Sequence, residues 1–173
     1  MRLFHVSEEP NILLFEPRLP KRTDLDQTVG LVWAIDEKRL PNFLTPRECP
    51  RVGYYSSIHT SDADKKQFFS SASTSHAVVI ENRWFQTMKN TVLYLYEFDT
   101  KEFVLQDEVA GYYVAKTAQS PIHKFQLDDL FSELFKRNVE LRVTDNLWDI
   151  AEAVKASTLS WSLCRMRNAS PHP

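Results

Sequence analysis

Short apolar runs broken by proline and polar clusters fill the first two thirds of the chain, and a period of three and four residues takes over only near the end. Arg2 to Val6 predicts a brief strand, closed by Glu9-Pro10 because the residue before proline is pushed out of the helical region. A proline-containing, charged loop is expected from Glu16 to Asp26. Leu31 to Ile35 is continuous, apolar and rich in branched and aromatic residues, which suits a buried strand. Asp36 then caps a short helix over Glu37 to Leu44, limited by Pro41 and ended by Pro46. Arg51 to Ser57 predicts another strand, and Ser61 with Asp64 three residues on forms a capping box that opens a helix through Ser71.

His76 to Glu81 returns to strand, and Trp84, Phe85 and Met88 have helical spacing before Val92 to Phe98, the strongest strand signal in the chain. Glu102 to Gln106 and Tyr112 to Ala115 continue the strand-rich middle, with Gly111 as the turn residue between them. Connections this short favour antiparallel pairing, since a parallel pair needs a crossover of a dozen or more residues. Further on, Leu127, Leu130, Phe131, Leu134 and Phe135 mark one buried helix face, with Asp128-Asp129 in its first turn and Lys136-Arg137 in its last. Val139 to Val143 reads as a strand, and Asp145 or Asn146 caps a helix whose Leu147, Ile150, Ala151 and Val154 share a face. Beyond Ser157 the pattern fits both periods, because Leu159, Trp161 and Leu163 alternate while Val154, Trp161 and Cys164 extend a helical stripe. The tail, 168–173, is expected to be loose. The fold class is α+β, with helices packed around a mostly antiparallel, split sheet, and 173 residues suit a single domain, 1–173.

Composition narrows the chemistry. Three glycines, Gly30, Gly53 and Gly111, stand where average usage would give about a dozen. None is close to another, so phosphate-cradling glycine loops of the P-loop and dinucleotide-binding kinds are excluded. A net charge of -2, from 21 basic and 23 acidic residues, lacks the basic excess that phosphate contacts with nucleic acid require. Lys21-Arg22 and the mixed run Asp62 to Lys66 read as solvated surface. Two cysteines, Cys49 and Cys164, make neither a zinc framework nor a disulfide scaffold, which points to a reduced, cytoplasmic setting. The first residues reach charge too soon for a signal-peptide core, and no apolar run approaches a membrane span, so no membrane partner is expected. Histidines at 5, 59, 76, 123 and 172 show no metal-ligand spacing, no serine sits in G-x-S-x-G, and Cys49 between Glu48 and Pro50 has no evident activation.

His5 remains. On a strand between Phe4 and Val6 it reads either as a satisfied structural residue or as an imidazole that holds a ribose hydroxyl or carbonyl, with an aromatic floor drawn from Trp33, Tyr54, Tyr55, Tyr112 and Tyr113. Arginines take the place of glycine loops toward phosphate, among them Arg18, Arg47, Arg51, Arg142, and the pair Arg165 and Arg167 that follows an apolar stretch.

The segments MRLFHVSEEPNILLFEPR at 1–18, VWAIDEKRLPNFLTPRECPRVGYY at 32–55 and STLSWSLCRMRN at 157–168 resemble a family of uncharacterised bacterial proteins of about this length. The order of L-x-H-V-S at 3–7, D-x-x-x-L at 36–40 and G-Y-Y-V-A-K-x-x-x-S-P at 111–121 resembles the ADP-ribosyltransferase-like fold. That resemblance implies NAD as a substrate rather than a resident cofactor, held at its ribose and amide by His5. An aromatic residue, Trp33 or Tyr55 with Tyr113 beside them, would stack the nicotinamide, and Arg18, Arg165 and Arg167 would meet the phosphates. A third-motif acid would support the oxocarbenium-like transition state, with Glu97, Gln106 and Glu108 near the right block. Cleavage of the N-glycosidic bond to nicotinamide is the implied reaction. The alternatives are a non-enzymatic interaction module and a small hydrolase or phosphotransferase acting on a nucleotide end.

Overall fold

The computed structural model describes residues 1–20 and 24–173, so the Lys21-Arg22 expectation lies outside the described residues. The chain, expected as one domain, divides into two compact units, one of Met1–Leu40 with Leu93–Leu127 and one of Pro41–Val92 with Asp128–Pro173.

The first unit holds a six-stranded antiparallel sheet. Its strands are β1 (Leu3–Ser7), β2 (Val32–Asp36), β5 (Leu93–Phe98), β6 (Val104–Asp107), β7 (Tyr112–Ala115) and β8 (His123–Leu127), in the order β6-β7-β2-β1-β5-β8. The predicted strands form within a residue or two of their expected ends. β8 has no apolar alternation to announce it, because four of its five residues are exposed on an edge. Leu127, expected inside a helix, instead closes this strand opposite Leu93. Directly opposed residues share a sheet face, so the pairing of His5 with Tyr96 and of Phe4 with Glu97 fixes which side each side chain takes. On the His5 side a small core forms from Leu3, Phe15, Val32, Ala34, Tyr96, Phe98, Phe103 and Ala115. The β6–β7 turn needs Gly111 at φ 68°, where an added Cβ would lie 2.5 Å from Arg39 Cγ.

In the second unit β3 (Arg51–Tyr55), β4 (His76–Glu81), β9 (Glu140–Thr144) and β10 (Ser160–Cys164) form a sheet in the order β10-β3-β4-β9. Here the antiparallel expectation meets an exception, since β4 and β9 run parallel. The chain between them is far longer than the minimum crossover, which removes the objection that short connections raise. β10 settles the ambiguous stretch after Ser157 as a strand. One face of this sheet, with Val52, Tyr54, Ala77 and Val79, packs on Phe68 of α1 (Asp62–Phe68) and on Ala151 and Val154 of α4 (Trp148–Lys155).

The caps follow the sequence in part: α4, expected to be capped by Asp145 or Asn146, has Leu147 at its N-cap with no side-chain cap bond, although Asn146 Oδ1 accepts from Trp148 N at 2.8 Å. The Ser61 side chain accepts from Asp64 N at 3.1 Å, and Asp129 accepts from Ser132 N at 3.0 Å, which makes Asp129 the cap of α3 (Leu130–Lys136) rather than a first-turn residue. The helix expected over Glu37 to Leu44 shrinks to a 3-10 turn, Leu40–Phe43, since Pro41 lacks the N–H that a longer helix needs. The short helix around Trp84 is realised as a 3-10 turn, Asn82–Trp84, running into α2 (Phe85–Asn90). Within the tail, Ser170 N donates to Glu81 Oε1 at 2.7 Å, Trp148 Nε1 donates to Ser170 O at 2.8 Å, and Asn146 Nδ2 donates to Pro171 O at 3.0 Å. Among the described residues no helix is long and apolar enough to cross a membrane.

Candidate functional site

β1 lies between two antiparallel neighbours, so its backbone is hydrogen-bonded on both edges and His5 rides on a rigid support. His5 Nδ1 is 3.1 Å from the carbonyl oxygen of Trp33. A carbonyl only accepts, so Nδ1 carries the proton and, in the neutral ring, Nε2 is the acceptor nitrogen. The imidazole is half-buried and lies 4.8 Å from the Phe15 ring, centroid to centroid, at 52°. Phe15 is held in turn, edge-on to Tyr96 at 5.2 Å and to Phe98 at 5.0 Å, with its backbone bridged to Gln119. The Tyr96 hydroxyl donates to Glu9 O at 2.5 Å and accepts from Ile12 N at 3.2 Å, while Lys124 Nζ donates to Pro10 O at 2.9 Å. The segment after β1 is thereby fastened across the His5 side of the sheet. Tyr113, opposite Ala34, projects from this same side and packs partly against the small core.

The opposite side carries a separate group. Trp33, opposite Val114, is half-buried and meets Tyr112 edge-on at 5.4 Å. Glu97 projects from this side too, and Arg2 grips its carboxylate with two hydrogen bonds, Nε to Oε1 at 2.8 Å and the second terminal nitrogen to Oε2 at 2.9 Å. The Arg2 guanidinium also reaches Glu37 at 3.1 Å and lies over the Phe4 ring at 4.8 Å, and His123 Nδ1 stands 3.5 Å from Glu97 Oε2. Hydrogen bonding from Arg2 holds the Glu97 carboxyl below the usual glutamate range against the opposing effect of burial, and keeps the Arg2 guanidinium more firmly protonated than usual.

Glu108 directly follows β6, after Gln106 and Asp107. Pairing with β7 is irregular between Leu105 and Asp107, so a bulge falls at Gln106, and Glu108 lies exposed in the turn that follows. β6 is three strands from β1, about 14 Å at normal strand spacing. His5 and Tyr113 therefore share a face, Glu97 and Trp33 occupy the other, and Glu108 stands at the sheet edge. Arg18 is exposed and bridges Leu31 through backbone bonds of 3.1 and 2.9 Å.

The remaining expected residues belong to the second unit. Tyr55 is buried on β3, its ring 5.6 Å from that of His76. His76 Nε2 is 2.9 Å from Asn42 Oδ1, and the buried Arg51 donates to Asn42 O at 2.6 Å and Cys49 O at 3.0 Å. Gly53 makes this packing possible, since a Cβ there would stand 2.3 Å from Asn42 Oδ1. Burial pushes the Cys49 thiol up to about 12, which removes it as a nucleophile near neutral pH. Arg165 and Arg167 are exposed beside Glu48, at 3.7 and 3.1 Å. Arg2, His123 and Asn42 were invisible to motif reading because their partners are distant in sequence. Among the described residues no group of three or more His, Cys, Asp or Glu is placed to hold a metal ion.

These features define an α+β protein in which an antiparallel sheet presents a tautomer-fixed histidine on a central strand. The chain belongs to a family of unknown function, DUF6886, which matches residues 4–169. No curated protein and no solved structure matches it.

Proposed function

We propose that the first unit binds NAD or a related nucleotide beside His5 and turns it over slowly or not at all. The observation that carries this reading is the bond from His5 Nδ1 to the Trp33 carbonyl, which orients Nε2 as an acceptor of the kind a ribose hydroxyl needs. The half-buried Tyr113 adds aromatic surface on the same side, and the buried Phe15 ring backs the imidazole. Slow turnover is favoured by where the acids lie: Glu97 faces the other side in the grip of Arg2, and Glu108 is three strands away. A ground state can be held without a carboxylate, whereas rate enhancement needs a group whose interaction strengthens as positive charge grows on the ribose. The same arrangement is compatible with an interaction module that carries no chemistry.

Titration calorimetry with NAD, ADP-ribose and adenosine monophosphate, on wild type and His5→Ala, tests the reading. The expected result is binding that His5→Ala weakens by at least about tenfold, the order of a lost hydrogen bond and its orientation. Absence of binding by all three ligands would overturn the nucleotide reading and leave the interaction module. Nicotinamide release is expected near background, and robust release abolished by Glu108→Gln or Glu97→Gln would refute slow turnover and identify the acid.

A further inference from the structure

The turn that follows β10 gathers three arginines of the second unit. Arg165 sits in the left-handed region at φ 55°, an uncommon conformation for a residue with a long side chain, and it redirects the chain from β10 into the 3-10 turn Met166–Asn168. Consequently Arg165 and Arg167 both reach the single carboxylate of Glu48, at 3.7 and 3.1 Å, while Asn168 Nδ2 donates to Glu48 Oε2 at 3.0 Å. From the other side Arg83 donates to the Asn168 carbonyl and pairs with Glu81 at 2.6 Å.

The charges do not balance. Glu81 is fully buried and satisfied by Arg83 and the Ser170 N–H, so among the described residues the half-exposed Glu48 is the carboxylate that faces both guanidiniums, in a protein whose net charge is -2. Arg165 donates through Nε to Arg47 O, Arg167 bonds Glu48 through one terminal nitrogen, and both side chains are exposed. Paired forks around an oxyanion are the usual means of holding phosphate where glycine loops are absent.

We propose that Arg165 and Arg167 form a phosphate-binding site in which the Glu48 carboxylate occupies the position of the ligand oxyanion and is displaced by it. The ligand class is a phosphomonoester or pyrophosphate, whose greater charge outcompetes one carboxylate for two arginines. This site lies in the second unit and does not depend on the reading of His5.

Calorimetry at low and moderate salt with inorganic pyrophosphate, ADP and adenosine separates the sources, since pyrophosphate and ADP should bind and adenosine should not. Binding should weaken as salt rises. Replacing both arginines, Arg165→Gln with Arg167→Gln, should weaken pyrophosphate by at least about tenfold. Glu48→Gln keeps an acceptor for Asn168 while removing the competing charge, so pyrophosphate should bind severalfold more tightly. Circular dichroism checks that each variant folds. No pyrophosphate binding by wild type and Glu48→Gln alike, or binding by wild type that Glu48→Gln weakens, would overturn the proposal.

Discussion

Each unit buries a glutamate near the end of a strand and offers it an arginine, yet the two solve the same problem differently. Glu81 on β4 is completely enclosed, takes Arg83 from two residues along the chain, and accepts the Ser170 N–H from the C-terminal segment. Glu97 on β5 is 9% exposed and takes Arg2 from ninety-five residues away, with exposed His123 at its rim. Enclosure makes the first a fastening whose loss leaves unsatisfied groups inside the protein. Partial exposure makes the second a clamp that water can replace in part.

The largest effect is expected from Glu81→Ala, which strands the Ser170 N–H and frees Arg83. A loss of about 2–3 kcal/mol in urea unfolding is expected, against about 1–2 kcal/mol for Glu97→Ala. Equal losses would break the comparison. Removing residues 170–173 sharpens it from the other partner, because it deletes the N–H on Glu81 together with the carbonyls that Trp148 and Asn146 bond. About 1–2 kcal/mol should be lost, with a red shift of tryptophan emission as the Trp148 indole meets water. An unchanged spectrum and stability would show that Glu81 does not depend on the tail.

Arg2→Ala tests the clamp through pH. Because Arg2 holds the Glu97 carboxyl below its unfolded value, the stabilisation is complete above the ordinary glutamate range and fades as pH falls through the lowered folded value. Arg2→Ala is expected to cost about 1 kcal/mol at neutral pH and to flatten the acid limb of the melting profile. An acid limb identical to wild type would remove Arg2 as its cause. The smallest effect belongs to His123→Ala, at most about half a kilocalorie, because the exposed imidazole touches Glu97 only at its rim. A loss as large as that of Arg2→Ala would mean that His123 carries the clamp as much as Arg2 does.

Local pattern determined much of this molecule by itself. Short apolar runs rich in branched and aromatic residues placed β1, β2, β4, β5 and β7, Ser61 capped α1 as its spacing required, and Gly111 marked the β6–β7 turn, because each rests on neighbours a few residues away. His5 was legible as a candidate for the same reason. Strand register was not legible, and it decides the site: pairing His5 with Tyr96 instead of Glu97 sends the histidine and the glutamate to opposite faces, since a slip of one residue reverses every side chain. The tertiary structure alone also paired β4 with β9 in parallel, brought Arg2 to Glu97, and set two arginines on Glu48. Each of these joins segments far apart in the chain, where the free energy of contact depends on packing that no local period encodes.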